Sequence, residues 1–221
     1  RMIQAAAYIS RAAALITKET DSEDILYAAR MLSSVGEDEI ANALTLQVVD
    51  SGKHNALQRS KLAAQLLQLD LLDPALAQFK SIAAEVLTGT DRARYGLALL
   101  FTADIEGAQV QFQKALEIDP SNAIASWHLA MMDLPIGREE RIRRLEKAIE
   151  NQSAVDDASL LQFALFHEYK GQANTEKAFR ALKTANDIIS VRMNYKSELE
   201  SSLIDSYLSQ LQLLDFTPQI A

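Results

Sequence analysis

A chain of 221 residues with 48% hydrophobic content can bury a sizeable apolar interior, and its scarcity of glycine (7) and proline (4) makes helix the expectation throughout. The net charge of −8 is shared evenly, residues 1–110 and 111–221 each carrying an excess of four negative charges, so no basic stretch is set aside for a polyanion and nucleic acid is not expected as a partner. With no cysteine, a disulfide framework, a thiolate nucleophile and cysteine metal ligands are all excluded.

In chain order, residues 1–21 open with an expected helix over Arg1 to Glu19, with Ile3, Ala7, Ile9 and Ala13 on its apolar side. Gln4, Tyr8, Ser10 and Arg11 break the continuous apolar run that an export signal needs. No window is long enough in apolar residues to cross a bilayer, so no membrane association is expected and the expected location is cytoplasmic. Arg1 ahead of Met2 is expected of a processed or excised piece.

Five helical-hairpin units are expected to follow. The unit at 22–55 places Gly36 in its inter-helix turn and Ala41 in its second helix. That at 56–88 carries Leu62, Ala63, Ala75 and Phe79, and Asp73 before Pro74 reads as an N-cap acceptor followed by a proline at the first helical position. The clearest unit, 89–122, has Gly96 in a first helix, then Ala108, Phe112, Ala115 and Pro120 along and after a second. The unit at 123–156 keeps Leu129 and Ala130, is interrupted around Pro135 to Gly137, and resumes with Leu145 and Ala148. The last, 159–192, keeps Leu165, Tyr169, Ala178 and Ala185 without a closing proline. Successive starts at Ser22, Ala56, Gly89, Ala123 and Ser159 are offset by 34, 33, 34 and 36 residues, a repeated structural unit rather than one closed core. Residues 193–221 bring an amphipathic helix over Asn194 to Leu214. Its Leu199, Leu203, Tyr207, Leu211 and Leu214 share one side, a pattern suited to capping the open end of a stack.

The glycines are absorbed by this scheme. Gly36, Gly137 and Gly171 are expected in hairpin turns, Gly52 and Gly89 between hairpins, Gly96 at a helix contact, and Gly107 at the opening of a second helix. None is left for a phosphate-binding loop.

The pattern of Gly96, Ala108, Phe112, Ala115 and Pro120 resembles the tetratricopeptide repeat, at its positions 8, 20, 24, 27 and 32. The resemblance implies an all-α, right-handed superhelical array of antiparallel helix pairs, an α-solenoid. Small residues at 8, 20 and 27 let the paired helices approach, and the bulky residue at 24 fills the gap between hairpins. It further implies a concave groove lined by the first helix of each pair, which receives an extended or helical segment of a protein or peptide partner. Positions 2, 5, 9, 12 and 13 of the units place Arg30, Phe101, Trp127, Met131, Phe163, His167 and Lys170 on that groove. Trp127 and Phe163 have an alternative role, filling the stack. A second copy of the chain is a further candidate occupant, which makes a homo-oligomer one of the expected arrangements.

Catalytic constellations are missing at the level of sequence. His54, His128 and His167 have no histidine at the i+4 spacing of a helical zinc pair, and no nucleophile elbow, Walker loop or dinucleotide fingerprint occurs. No catalytic residue, metal ligand or cofactor is therefore assigned to this segment. Asp156 with Asp157, and Glu37 to Glu39, read as acidic first turns of helices. Arg138, Arg141, Arg143 and Arg144 read as a solvated face with Glu139–Arg143 and Glu140–Arg144 pairs, an anion clamp being the lesser alternative. His167 beside Glu168 reads as a surface or groove pair.

The stretch from Arg141 to Tyr195 carries a more particular resemblance, through Leu161, Phe163, Ala164, Leu165, Ala178, Phe179, Leu182, Ala185, Asn186, Arg192 and Tyr195. It is similar to the last repeats of bacterial tetratricopeptide proteins that carry a sulfotransferase domain. This resemblance implies a bacterial source and a catalytic domain beyond residue 221, binding phosphoadenosine phosphosulfate, with the repeats presenting a partner that includes the sulfuryl acceptor. No residue present matches that domain's phosphate-binding loop. A free-standing tetratricopeptide adaptor mediating protein–protein assembly is the alternative expectation.

Overall fold

The computed structural model describes residues 20–52, 54–151 and 155–193, and among these residues helix is the sole regular structure. The helices are α1 (Ser22–Ser33), α2 (Asp38–Ser51), α3 (Ala56–Gln68), α4 (Leu72–Lys80), α5 (Gly89–Phe101), α6 (Ile105–Ile118), α7 (Ala123–Met131), α8 (Arg138–Glu150), α9 (Val155–Gly171) and α10 (Thr175–Met193). They form a right-handed superhelical array of antiparallel pairs. The helices expected over residues 1–19 and 194–214, and the cap that the latter would form, lie outside the described residues.

Each of the first four hairpins starts on a residue whose side chain accepts from the backbone of the first helical turn. Asp21, Asn55, Thr88 and Asn122 take this position ahead of α1, α3, α5 and α7, separated by 34, 33 and 34 residues. Each satisfies a donor that the helix itself leaves open, worth about 1 kcal/mol per cap. Asn55 with Gln58, and Thr88 with Asp91, complete reciprocal capping boxes.

The turn within each hairpin also repeats. Gly36, Asp70, Ala103, Gly137 and Ala173 all have positive φ, from 56° to 85°, and all fall on the fifteenth residue of their units. In four of the five turns the following amide reaches back five residues, from Glu37 to Leu32, Leu71 to Leu66, Asp104 to Leu99 and Asn174 to Tyr169, at 2.9–3.0 Å. This closes the first helix with a Schellman bond.

Small residues set the closeness of the pairs. Ala29, Ala63, Ala41, Ala75 and Ala108 are fully buried at the eighth and twentieth positions. At Gly96 a Cβ would stand 2.6 Å from Cε1 of Phe112, so any larger residue meets the ring directly. The bulky residues between hairpins act as expected. Phe79 stacks on Tyr95 of the next hairpin at 5.4 Å, and Phe112 on His128 at 5.3 Å.

The fourth hairpin departs from this rule. Its twentieth position holds Ile142 in place of alanine, and α8 packs on α9 rather than on α7, its own hairpin partner. Helix α7 also ends early, at Met131, and a second left-handed residue, Asp133, precedes Pro135. Glu168 of α9, 2% exposed, fastens the displaced helix. Its Oε1 and Oε2 accept from Nε and Nη2 of Arg141 at 2.5 and 3.0 Å. Arg141 also donates from Nη1 to the Ile136 carbonyl at 2.6 Å and from Nη2 to that of Leu134.

Several local expectations are corrected. Asp73 does not cap α4, which starts at Leu72 behind Leu71, so Asp73 and Pro74 are the second and third helical residues. The proline is tolerated because first-turn amides have no intrahelical acceptor. Gly89 is the first residue of α5 and Gly171 the last of α9, rather than loop residues. Of the arginine run, Arg143 alone lies on the solvated face, paired with Glu140 three residues back at 2.6 Å, while Arg138 bonds Asp133 at 2.7 Å. His167 and Glu168 form no surface pair, because Glu168 turns inward to Arg141.

Candidate peptide-binding groove

The first helices of the amino-terminal hairpins enclose a cleft of about 600 Å³. Its walls are α1, α3 and the start of α5. Tyr27 and Arg30 project from α1, the Arg30 guanidinium lying 5.8 Å from the Tyr27 ring centre. Lys61 of α3 is bound to Glu23 of α1 at 2.6 Å, with both side chains half exposed. Arg94 of α5 completes the wall and has no hydrogen-bond or ion-pair partner among the described residues. Gln65, 4% exposed, lines the same cleft, and its Oε1 is buried without a partner. The cleft therefore carries three cationic side chains, Arg30, Lys61 and Arg94, against the carboxylates of Glu23 and Asp24, and Lys61 already holds Glu23. Carboxylate-bearing side chains would pair with the two guanidinium groups.

Of the groove residues expected from sequence, Arg30 alone lines this cleft. Trp127, Met131, Phe163, His167 and Lys170 form a separate group on α7 and α9. Trp127 is half-buried, 6.4 Å from the Phe163 ring and 5.1 Å from that of His128, and packs on the carboxy-terminal core. Met131 is 50% exposed, and Phe101, at the end of α5, is 57% exposed and belongs to neither group. The residues that sequence reasoning missed, Tyr27, Lys61 and Arg94, share the sixth position of their units. They fall one step from the fifth position already on the ruler, so adding that column would have found them.

Several titrating groups of the carboxy-terminal hairpins are shifted by their surroundings. Burial lowers the pKa of His128, wedged between Phe112 and Trp127, and keeps its imidazole neutral. His167 is also lowered, first by burial and then by the Lys170 charge, against the opposing fields of Asp133 and Glu168. The hydrogen bond from Arg138, and then its charge, hold Asp133 below the usual carboxylate range. Burial, with the 2.5 Å bond that it donates to Glu146, pushes the Tyr169 hydroxyl up to about 12. Among the described residues, no cluster of three His, Asp or Glu residues could hold a metal ion, and no helix is long and apolar enough to cross a membrane.

No family model matches the chain, and no curated protein matches it. Solved structures do. YrrB, described as a TPR protein with an unusual peptide-binding site, superposes with a TM-score of 0.52 at 19% identity, over 83% of this chain and 93% of that one. The fold is a tetratricopeptide-type α-solenoid. BtubC from P. vanneervenii is similar at a TM-score of 0.57 and 15% identity, over 88% of this chain and 93% of its own. MamA is similar at 0.52 and 17%, over 76% and 97%.

Proposed function

We propose that this α-solenoid is a protein- or peptide-binding scaffold, and that the cleft across α1, α3 and α5 receives an extended segment bearing carboxylate side chains. The observation that carries the reading is the pair of guanidinium groups, Arg30 and Arg94, that line the cleft with no ion-pair partner among the described residues. A strand-like peptide brings acidic side chains for the two guanidinium groups. YrrB, of the same fold, is described as having a peptide-binding site, which supports a peptide as the occupant.

The finer reading is that the scaffold is the non-catalytic amino-terminal region of a bacterial, cytoplasmic sulfotransferase and presents the acceptor to it. It rests on the resemblance of Arg141 to Tyr195 to the repeats of such proteins. The reading frame beyond residue 221 tests it: a strand followed by a phosphate-binding loop supports the enzyme, and any other continuation favours the free-standing adaptor.

For the groove itself, a displayed random-peptide library panned on the full chain should enrich acidic sequences. Arg30→Glu with Arg94→Glu should weaken the selected peptides by at least about tenfold, as expected of charged hot spots. Peptides that hold the doubly reversed chain as tightly as the original would defeat the proposal.

A further inference from the structure

The second helices of the hairpins form the opposite side of the array, and there the irregular fourth hairpin leaves a concavity of about 540 Å³ between α6 and α8. Ile142 is too large for the alanine position where α8 would seat on α7, and the Arg141–Glu168 pair ties α8 to α9. The space vacated has Leu116, Leu129 and Leu134 on its apolar walls. Its volume lies within the range of small-molecule sites, roughly 300–1,000 Å³.

Three arginines of α8 follow one another at intervals of three along this side, and two are fully engaged. Arg138 bonds Asp133 and the Glu168 carbonyl, and Arg141 bonds Glu168 and the α7–α8 turn. Arg144 has no hydrogen bond or ion pair among the described residues, and its Nε is sealed from solvent with no acceptor. Glu168 and Glu140 act on it through space, but Arg141 holds the first and Arg143 the second. Burial, and then repulsion from Arg141, lower the Arg144 pKa, showing how poorly its charge is compensated. An unmatched guanidinium over apolar walls is destabilising, and an anion with an apolar body would offset that cost.

We propose that the cleft between α6 and α8 binds a small apolar monocarboxylate, its hydrocarbon lying on Leu116, Leu129 and Leu134 and its carboxylate accepting from Arg144. The amides of Gln109 and Gln113 line the same space and offer further donors. Glu117 and Glu140 also line it, and their charge selects against polyanions such as nucleotides. The site lies on the face away from the α1–α3–α5 cleft and is independent of what that cleft binds.

Calorimetric titration of the full chain with octanoate, octanol and octylamine tests this assignment. Octanoate should bind saturably at one equivalent, and octanol and octylamine at least about tenfold more weakly, because the charge-assisted bond to Arg144 is available to the carboxylate alone. Arg144→Met should abolish the preference for octanoate over octanol while raising the melting temperature by about 2–4 °C, the shift expected when an uncompensated charge is removed from a chain of this size. Arg144→Gln should lose the same preference. Absence of saturable octanoate binding, retention of the preference in either variant, or a fall in melting temperature for Arg144→Met would overturn the proposal, the last by making the arginine structural.

Discussion

Glu168 and Arg141 hold the displaced fourth hairpin against the fifth, and a double-substitution cycle on them measures how much of the array depends on that link. Glu168 is 2% exposed, and replacing it with leucine leaves the Arg141 charge buried with two backbone carbonyls and no counter-ion. Removing one partner of a buried pair costs about 3–5 kcal/mol. In a chain of this size that is a fall in melting temperature of roughly 6–20 °C. Arg141→Met leaves the carboxylate only Arg138 Nε at 3.8 Å, and should cost somewhat less. The double variant, Arg141→Met with Glu168→Leu, removes both charges and should recover most of the loss, since buried pairs are often no better than apolar residues of their size. Recovery should stop about 1–2 kcal/mol short, because the carbonyls of Leu134 and Ile136 lose their donors. Urea denaturation followed by far-ultraviolet circular dichroism reads all four corners of the cycle. The values should barely respond to added salt, the pair being screened from solvent. A single-substitution cost below about 1 kcal/mol, or a double variant as unstable as the sum of the singles, would refute the assignment of α8's position to this pair.

Three further outcomes follow from the same packing. Ala103 sits at φ 64° in the α5–α6 turn, so Ala103→Gly should stabilise by about 1 kcal/mol in chemical denaturation by removing left-handed strain, and a loss of stability would contradict the turn geometry. Burial depresses the folded pKa of His128 below its unfolded value of 6.5, so the unfolded chain binds the proton first: stability should be intact above 6.5 and fall as pH drops through the window beneath it. His128→Phe should flatten that slope, and an unchanged slope would remove His128 as its source. Truncation after Met193 should lower thermal stability and promote association through the exposed Phe179, Val191 and Met193 of α10; an unchanged monomer of unchanged melting temperature would rule out a capping role for residues 194–214.

The repeat was legible because its determinants are single residue types at fixed spacing. Ala41, Ala75 and Ala108 recur where helices must approach, and Phe79 and Phe112 recur where hairpins must interlock. The turn geometry was legible at Gly36 and Gly137 but hidden at Asp70, Ala103 and Ala173, where tertiary packing imposes a left-handed backbone on residues that do not announce it. Pro135 announced the break in the fourth hairpin. The displacement of α8 was encoded elsewhere, in Ile142, which a hydrophobicity pattern reads as ordinary core. The arginine run misled for a related reason. Four like residues within seven positions look equivalent in sequence, yet Arg138, Arg141 and Arg144 turn inward at intervals of three, and Arg143 is left to water.

The alternatives posed for Trp127, groove lining or stack filling, are not exclusive once the fourth hairpin is understood. Because α8 does not close on α7, α7 is held mainly by its neighbours α6 and α9, and a chain of rings spans that joint: Phe112 to His128 at 5.3 Å, His128 to Trp127 at 5.1 Å, Trp127 to Phe163 at 6.4 Å. The central core, from Ala63 to Leu129, ends here and the carboxy-terminal core starts with Ala123, so these rings bridge two apolar clusters as well as two helices. Removing the Trp127 or Phe163 ring therefore changes the joint together with any surface it presents, and lost binding in such a variant would have two causes. Met131 and Phe101 are half exposed or more and stand outside the ring chain. Substituting them with serine separates recognition from packing: a groove that extends into this half should lose affinity in these variants at constant melting temperature, while a groove confined to α1, α3 and α5 should lose neither.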